Sequence, residues 1–114
     1  MTGVVIDPTT FAELQTAAGS DFVVELVNTF AEEAPQMLAE MRSAHAAAAA
    51  ELFRRAAHSL KSNSNTFGAV RLGEMARALE LGSLPSATEG ATALDALAAE
   101  LDSTLNALKA LARR

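Results

Sequence analysis

The residues best suited to chemistry in this 114-residue chain lie in one stretch, Ala56–Ala69, which reads AAHSLKSNSNTFGA. His58 is followed three positions later by Lys61, then by the polar run Ser62–Thr66 and by Gly68. On a helix from Glu51 to Phe67, turning about 100° per residue, Leu52, Phe53, Ala56, Leu60, Asn63 and Phe67 share an arc of roughly 100°. His58 falls nearly opposite its centre, with Arg54, Arg55, Lys61 and Ser62 one turn away and Glu51 and Asn65 nearby. The spacing therefore predicts an exposed, mid-helix histidine on a locally basic face. A neutral imidazole nitrogen is a nucleophile near pH 7, and neighbouring cations favour the neutral ring. The same cations would offset the charge of a phosphoryl group placed on that nitrogen. A convex helix face is open to another protein, whereas a small molecule needs a concave pocket. The plainer reading of these residues alone is a solvated helix face.

No other constellation competes. His45 precedes an alanine run, lacks any comparable suffix and reads as a surface or helix-end residue. Two histidines with no cysteine do not supply a metal-ligand spacing. Met37, Met41 and Met75 read as core filler. There is no thiolate nucleophile, no disulfide framework, no glycine-rich phosphate loop and no clustered carboxylate set for Mg²⁺. A net charge of −5 argues against nucleic acid as a partner. The absence of a long uncharged apolar run argues against a membrane span. The segment MTGVVIDPTT lacks the basic and apolar regions of a signal peptide, so the expectation is a cytoplasmic protein.

The elements that must carry His58 are helices. Alanine and leucine dominate, tryptophan and tyrosine are absent, and the length suits a single domain spanning residues 1–114. Asp7-Pro8 reads as an N-cap and first helical position, opening a short helix over about 7–18 that Gly19 ends. Ser20 then caps a long helix whose apolar positions include Phe22, Val23, Leu26, Val27, Phe30, Ala34, Met37, Leu38 and Met41. Pro35 should kink that helix or divide it. No glycine or proline follows, yet an unbroken helix of roughly 45 residues would be about 70 Å long, so a new helix must begin near Ala48. Gly68 and Gly82 bracket a further helix from about Ala69 to Leu81. Ser86-x-x-Glu89 is a capping box before a last helix with Leu94, Leu97, Leu101, Leu105, Leu108 and Leu111 on one side. The expected fold is all-α, an antiparallel four-helix bundle over about 20–112 with an additional short N-terminal helix. The apolar arc of the long helix is about 160° wide, more than a core stripe requires, which makes Phe22, Leu26, Val27 and Leu38 candidates for an exposed docking surface.

His58-Ser59-Leu60-Lys61-Ser62, followed by Phe67-Gly68-Ala69, Leu72, Met75 and Leu79-Glu80, resembles the histidine-containing phosphotransfer (HPt) domain. The resemblance is close over about residues 20–82 and rests on helical pattern elsewhere. It implies that His58 is the phosphoacceptor, through Nε2, and that Lys61 stabilises the phosphoryl group. It further implies that Gly68 shapes the turn of a helical hairpin. Glu80 stands where related domains often place a Gln or Glu against the other ring nitrogen; pairing with a surface arginine is the alternative. The chain departs from the family at Ser62, commonly glycine, and at Asn63, Thr66 and Met75. Alanines also replace the usual Gly-Asp break before the active helix.

The resemblance implies reversible phosphoryl relay between receiver-domain aspartates in a two-component pathway, the protein acting as a stoichiometric carrier rather than an enzyme. Its partners would be response-regulator receiver domains and a hybrid histidine kinase, with Arg54, Arg55, Asn65, Phe22 and Leu26 at the contact. The protein itself would need no cofactor, the Mg²⁺ residing on the receiver. It would be a monomer, and the Met1 start and short length favour a free-standing protein. The competing readings are a non-phosphorylated helical adaptor for a receiver or kinase domain, and a purely structural bundle.

Overall fold

A computed structural model describes residues 5–113; Met1–Val4, the start of the segment examined for a signal peptide, and Arg114 lie outside them. The described chain is helical throughout its regular structure: α1 (Pro8–Ala18), α2 (Ser20–Ala46), α3 (Ala50–Thr66), α4 (Val70–Leu81) and α5 (Ala87–Ala112). Helix α2 packs on α1, α3 and α5, and α4 packs on α3 and α5, so α2 to α5 close a ring around one core.

Helix α1 starts at Pro8 behind Asp7, whose carboxylate accepts from Thr9 N at 3.3 Å and from Thr10 Oγ1 at 2.7 Å. Ser20 does not cap α2. It is the first residue of the helix, and Gly19, at φ 93°, holds the cap position without a side-chain bond. A single residue separates α1 from α2, and that residue must turn the chain at positive φ, a conformation glycine adopts freely. Nor does Pro35 divide α2, which runs unbroken through it. Pro35 is exposed, so the hydrogen bond it removes is lost at the surface and not in the core. The buried stripe of α2 is Val23, Val27, Phe30, Ala34, Leu38, Met41 and Ala44, stepping by three or four residues.

The break between α2 and α3 falls in the alanine run. Ala47 is the C-cap and Ala48 takes φ 55°. Ala49 N donates to Ala44 O at 2.8 Å and Ala48 N to His45 O at 3.1 Å. That pair of bonds is a Schellman motif, with alanine in the left-handed position usually held by glycine. Helix α3 ends the same way around Gly68 at φ 83°, with Ala69 N donating to Ser64 O at 2.9 Å and Gly68 N to Asn65 O at 3.1 Å. Ser86 caps α5 by accepting from Glu89 N at 3.2 Å.

Two expectations about burial need correction. On α3, Leu52 is 58% exposed and Asn63 is only half-buried, while Ala57 and Ser64 lie inside with Phe53, Ala56 and Leu60. The buried face is turned toward the small residues because α3 must approach both α2 and α4, and close approach favours small side chains over large ones. The buried Ser64 hydroxyl is satisfied by donating to Leu60 O at 2.6 Å. On α2, Phe22 is exposed and Leu26 half-buried, but Val27 and Leu38 are core residues and leave no docking surface.

Candidate functional site

His58 sits mid-helix on α3 and its side chain is 57% exposed. Across the α3–α4 hairpin, Glu80 occupies the last turn of α4 and is only 14% exposed. Its Oε2 lies 2.6 Å from His58 Nδ1. An ionised carboxylate can only accept, so the ring donates from Nδ1 and the lone pair of a neutral imidazole resides on Nε2. The other oxygen, Oε1, forms an ion pair with Lys61 Nζ at 2.8 Å. One carboxylate thus binds both the histidine and the lysine of the His-x-x-Lys segment. Lys61 first, and His58 second, hold the Glu80 carboxyl below its ordinary 4.5.

The hairpin geometry that makes this contact begins at Gly68. Its positive φ closes α3, its carbonyl accepts from Asp7 N at 2.8 Å, and a β-carbon there would come within 2.9 Å of Thr10 Cβ and 3.0 Å of Asp7 O. Further along, Asn65 lies so close over Gly73 that a β-carbon on Gly73 would collide with Asn65 Oδ1. Phe67 anchors the end of α3 against Phe30 of α2, ring centroids 5.2 Å apart.

Around the ring, Arg54 pairs with Glu51 at 2.9 Å. Arg55 is exposed, and Ser62 is exposed one turn after His58. A shallow depression beside His58 is lined by Glu51, Arg54, Arg55, Ser59 and Glu80. A second groove, between α2 and α3, begins at Arg55 and Ser59 and includes the exposed Leu52, a residue the sequence placed in the core. Phe22 and Leu26 do not line either one. Among the described residues, no group of three or more His, Cys, Asp or Glu side chains could hold a metal ion. No described helix is long and apolar enough to cross a membrane.

A family model for the Hpt domain matches residues 25–112, well over half the chain. The chain belongs to the Hpt domain family. The match continues through α5, beyond the segment whose motif residues carried the resemblance. The protein is similar to histidine-containing phosphotransfer protein B from Pseudomonas aeruginosa PAO1, whose crystal structure matches at a TM-score of 0.71 and 26% identity over 98% of this chain and 94% of that one. No curated protein matches the chain. This Hpt domain protein is a histidine phosphotransfer component of a phosphorelay, a phosphoryl carrier rather than a catalyst.

The other histidine of this Hpt domain has a structural task. His45, near the end of α2, places Nε2 3.0 Å from Pro85 O and 3.1 Å from Ser86 O, tying α2 to the start of α5. Its ring rests on Gly90 and 6.1 Å from the Phe53 ring centroid. Gly90, a poor residue for the first turns of a helix, is explained by that ring: a β-carbon at position 90 would collide with it. The sequence signal was a glycine out of place, legible only once α2 and α5 are known to meet there.

Proposed function

We propose that His58 is the phosphoacceptor of this Hpt domain and relays a phosphoryl group between receiver-domain aspartates. The observation that carries the reading is the exposed His58 ring held at Nδ1 by Glu80, 2.6 Å away. Nε2 attacks the phosphorus of an aspartyl phosphate, the P–O bond breaks, and its electron pair returns to the aspartate carboxylate. The phosphorylated ring then carries a positive charge with its proton still on Nδ1, and the Glu80 carboxylate opposes that charge. No proton has to leave. Transfer to a second receiver is the reverse of this step. The transition state is loose, so positioning and charge are the chief contributions required.

In this reading Glu80 fixes the tautomer, Lys61 keeps Glu80 ionised and adds positive potential, and Gly68 sets the hairpin that aligns them. The Ser62 hydroxyl, exposed one turn beyond the ring, would either crowd or hydrogen-bond the phosphoryl group. Mg²⁺ is the receiver's contribution, and this chain brings no cofactor. The partners are receiver domains and a hybrid kinase, met in the cytoplasm by a monomer through the His58 face, with Arg54, Arg55 and Asn65 at its border and Phe22 and Leu26 farther along α2. Helices α2 to α5 form an antiparallel four-helix bundle, supported by contacts that step in opposite directions along neighbouring helices. His58 meets Glu80 while Asn65 meets Gly73, and Arg42 bonds Asp95 while His45 bonds Ser86.

The test is a transfer assay with receivers carrying labelled aspartyl phosphate and Mg²⁺, run beside a His58→Gln variant. Acid-labile, alkali-stable label on the wild type alone is the expected result. Binding without label would make the protein an adaptor, and label persisting on the variant would move the phosphoacceptor to another residue.

A further inference from the structure

We propose that Arg55, and not Lys61, makes the direct contact with the phosphoryl group carried on His58. The inference rests on the reading of His58 as phosphoacceptor and adds the group that receives the charge.

Three cations surround His58 on its own helix, and two of them are committed. Lys61 is 22% exposed with Nζ 2.8 Å from Glu80 Oε1, and that pair supports the carboxylate that holds Nδ1. Drawing Lys61 onto a phosphoryl group would strip Glu80 of a partner just as the phosphorylated ring needs its carboxylate. Arg54 is paired with Glu51 at 2.9 Å. Arg55 is exposed, stands one turn before His58, and has no salt-bridge partner among the described residues.

Position separates the candidates as well. The depression beside the ring is lined by Glu51, Arg54, Arg55, Ser59 and Glu80, so Arg54 and Arg55 are its cations; neither Lys61 nor Arg77, one turn before Glu80 on α4, lines it. A phosphoryl group on Nε2 is carried by the ring nitrogen that Glu80 does not hold. Arginine suits such a group, since its planar fork can meet two phosphoryl oxygens at once. The two cations thus divide the work: Lys61 serves Nδ1 through Glu80, and Arg55 serves Nε2 through the phosphoryl oxygens.

The experiment uses the protein alone, so receiver docking cannot contribute. His58 is phosphorylated with phosphoramidate; the Nε2–P bond forms as the donor's P–N bond breaks and ammonia leaves with the electron pair. The last proton of the phosphoryl group is then titrated by ³¹P NMR in wild type, Arg55→Gln, Arg55→Lys and Lys61→Gln. A nearby cation favours the dianion, so Arg55→Gln should raise the midpoint by roughly 0.3–0.7 unit, the scale of an exposed ion pair. Arg55→Lys should recover part of the shift, and Lys61→Gln should move the midpoint less than Arg55→Gln. An Arg55→Gln midpoint equal to wild type, or a larger shift in Lys61→Gln, overturns the assignment while leaving His58 as phosphoacceptor. A wild type that takes no phosphoryl group on His58 overturns both readings.

Discussion

At the scale of single residues, the centre of this protein is a carboxylate with two duties. Glu80 is largely covered, accepts from His58 Nδ1 and pairs with Lys61, and its carboxyl is held below the ordinary value chiefly by the lysine. A depressed folded pKa contributes stability that is fully present above the unfolded value, 4.5, and disappears as the pH falls through the folded one. Glu80→Gln should therefore lower the urea midpoint most above that pH, with the two proteins converging on acidification; parallel curves would contradict the ion-pair account. The same substitution separates tautomer from charge. Glutamine can still accept from Nδ1 but cannot oppose the charge of the phosphorylated ring, and alanine does neither. Phosphorylation rates should fall in the order wild type, Glu80→Gln, Glu80→Ala, with the alanine variant slower by about tenfold or more, the worth of a charge-assisted hydrogen bond. An alanine variant as fast as wild type would remove Glu80 from the chemistry.

At the scale of elements, the two turns that flank α3 use one hydrogen-bond pattern with different residues. Gly68 ends α3 at φ 83°, and Ala48 ends α2 at φ 55°. The left-handed region costs an L-residue about 1–2 kcal/mol, while glycine enters it freely at a greater loss of chain entropy. Ala48→Gly should accordingly stabilise the protein by about 0.5–1 kcal/mol and raise Tm by roughly 2–4 °C. Calorimetry would show it, and an unchanged or lower Tm would mean the strain is relieved elsewhere. Propensity scales see only alanines here and extend the helix. The break occurs because Met41, Ala44 and Phe53 all reach the core once the chain reverses, a gain no local preference records.

At the scale of the whole molecule, α1 belongs to the same core as the helices that carry the site. Ile6 and Phe11 are buried with residues of α2 to α5, and Asp7 N bonds the carbonyl of Gly68 at the hairpin turn. Phe11→Ala should cost about 3–5 kcal/mol, the usual penalty for emptying a buried phenylalanine site. The loss should appear as a shift of one cooperative transition, seen identically by far-UV circular dichroism and by a fluorophore attached near Glu51. A separate early transition for α1 would show instead that the N-terminal helix is only loosely joined to the rest. Between the helices, Arg42–Asp95 at 3.0 Å and Arg71–Glu100 at 3.4 Å are exposed on the arginine side and contribute little beside such packing.

The sequence by itself determined that the chain is helical and that His58 faces outward among cations, which follow from alanine and leucine content and from helical spacing. A hairpin turned at Gly68 with Glu80 against His58 was what the family resemblance implied, from a motif whose residues lie close together along the chain. Pairing of Glu80 to a surface arginine was left open until the structure placed its carboxylate on Nδ1. Tertiary structure decided what depends on distant neighbours. It buried Ala57 and Ser64 in preference to Leu52, because closely packed helices select small side chains where they touch. It set Gly90 under the ring of His45, two residues far apart in sequence that meet only when α2 reaches α5. It also gave Lys61 to Glu80, since a carboxylate within reach and partly shielded from water is a better partner for an ammonium than open solvent.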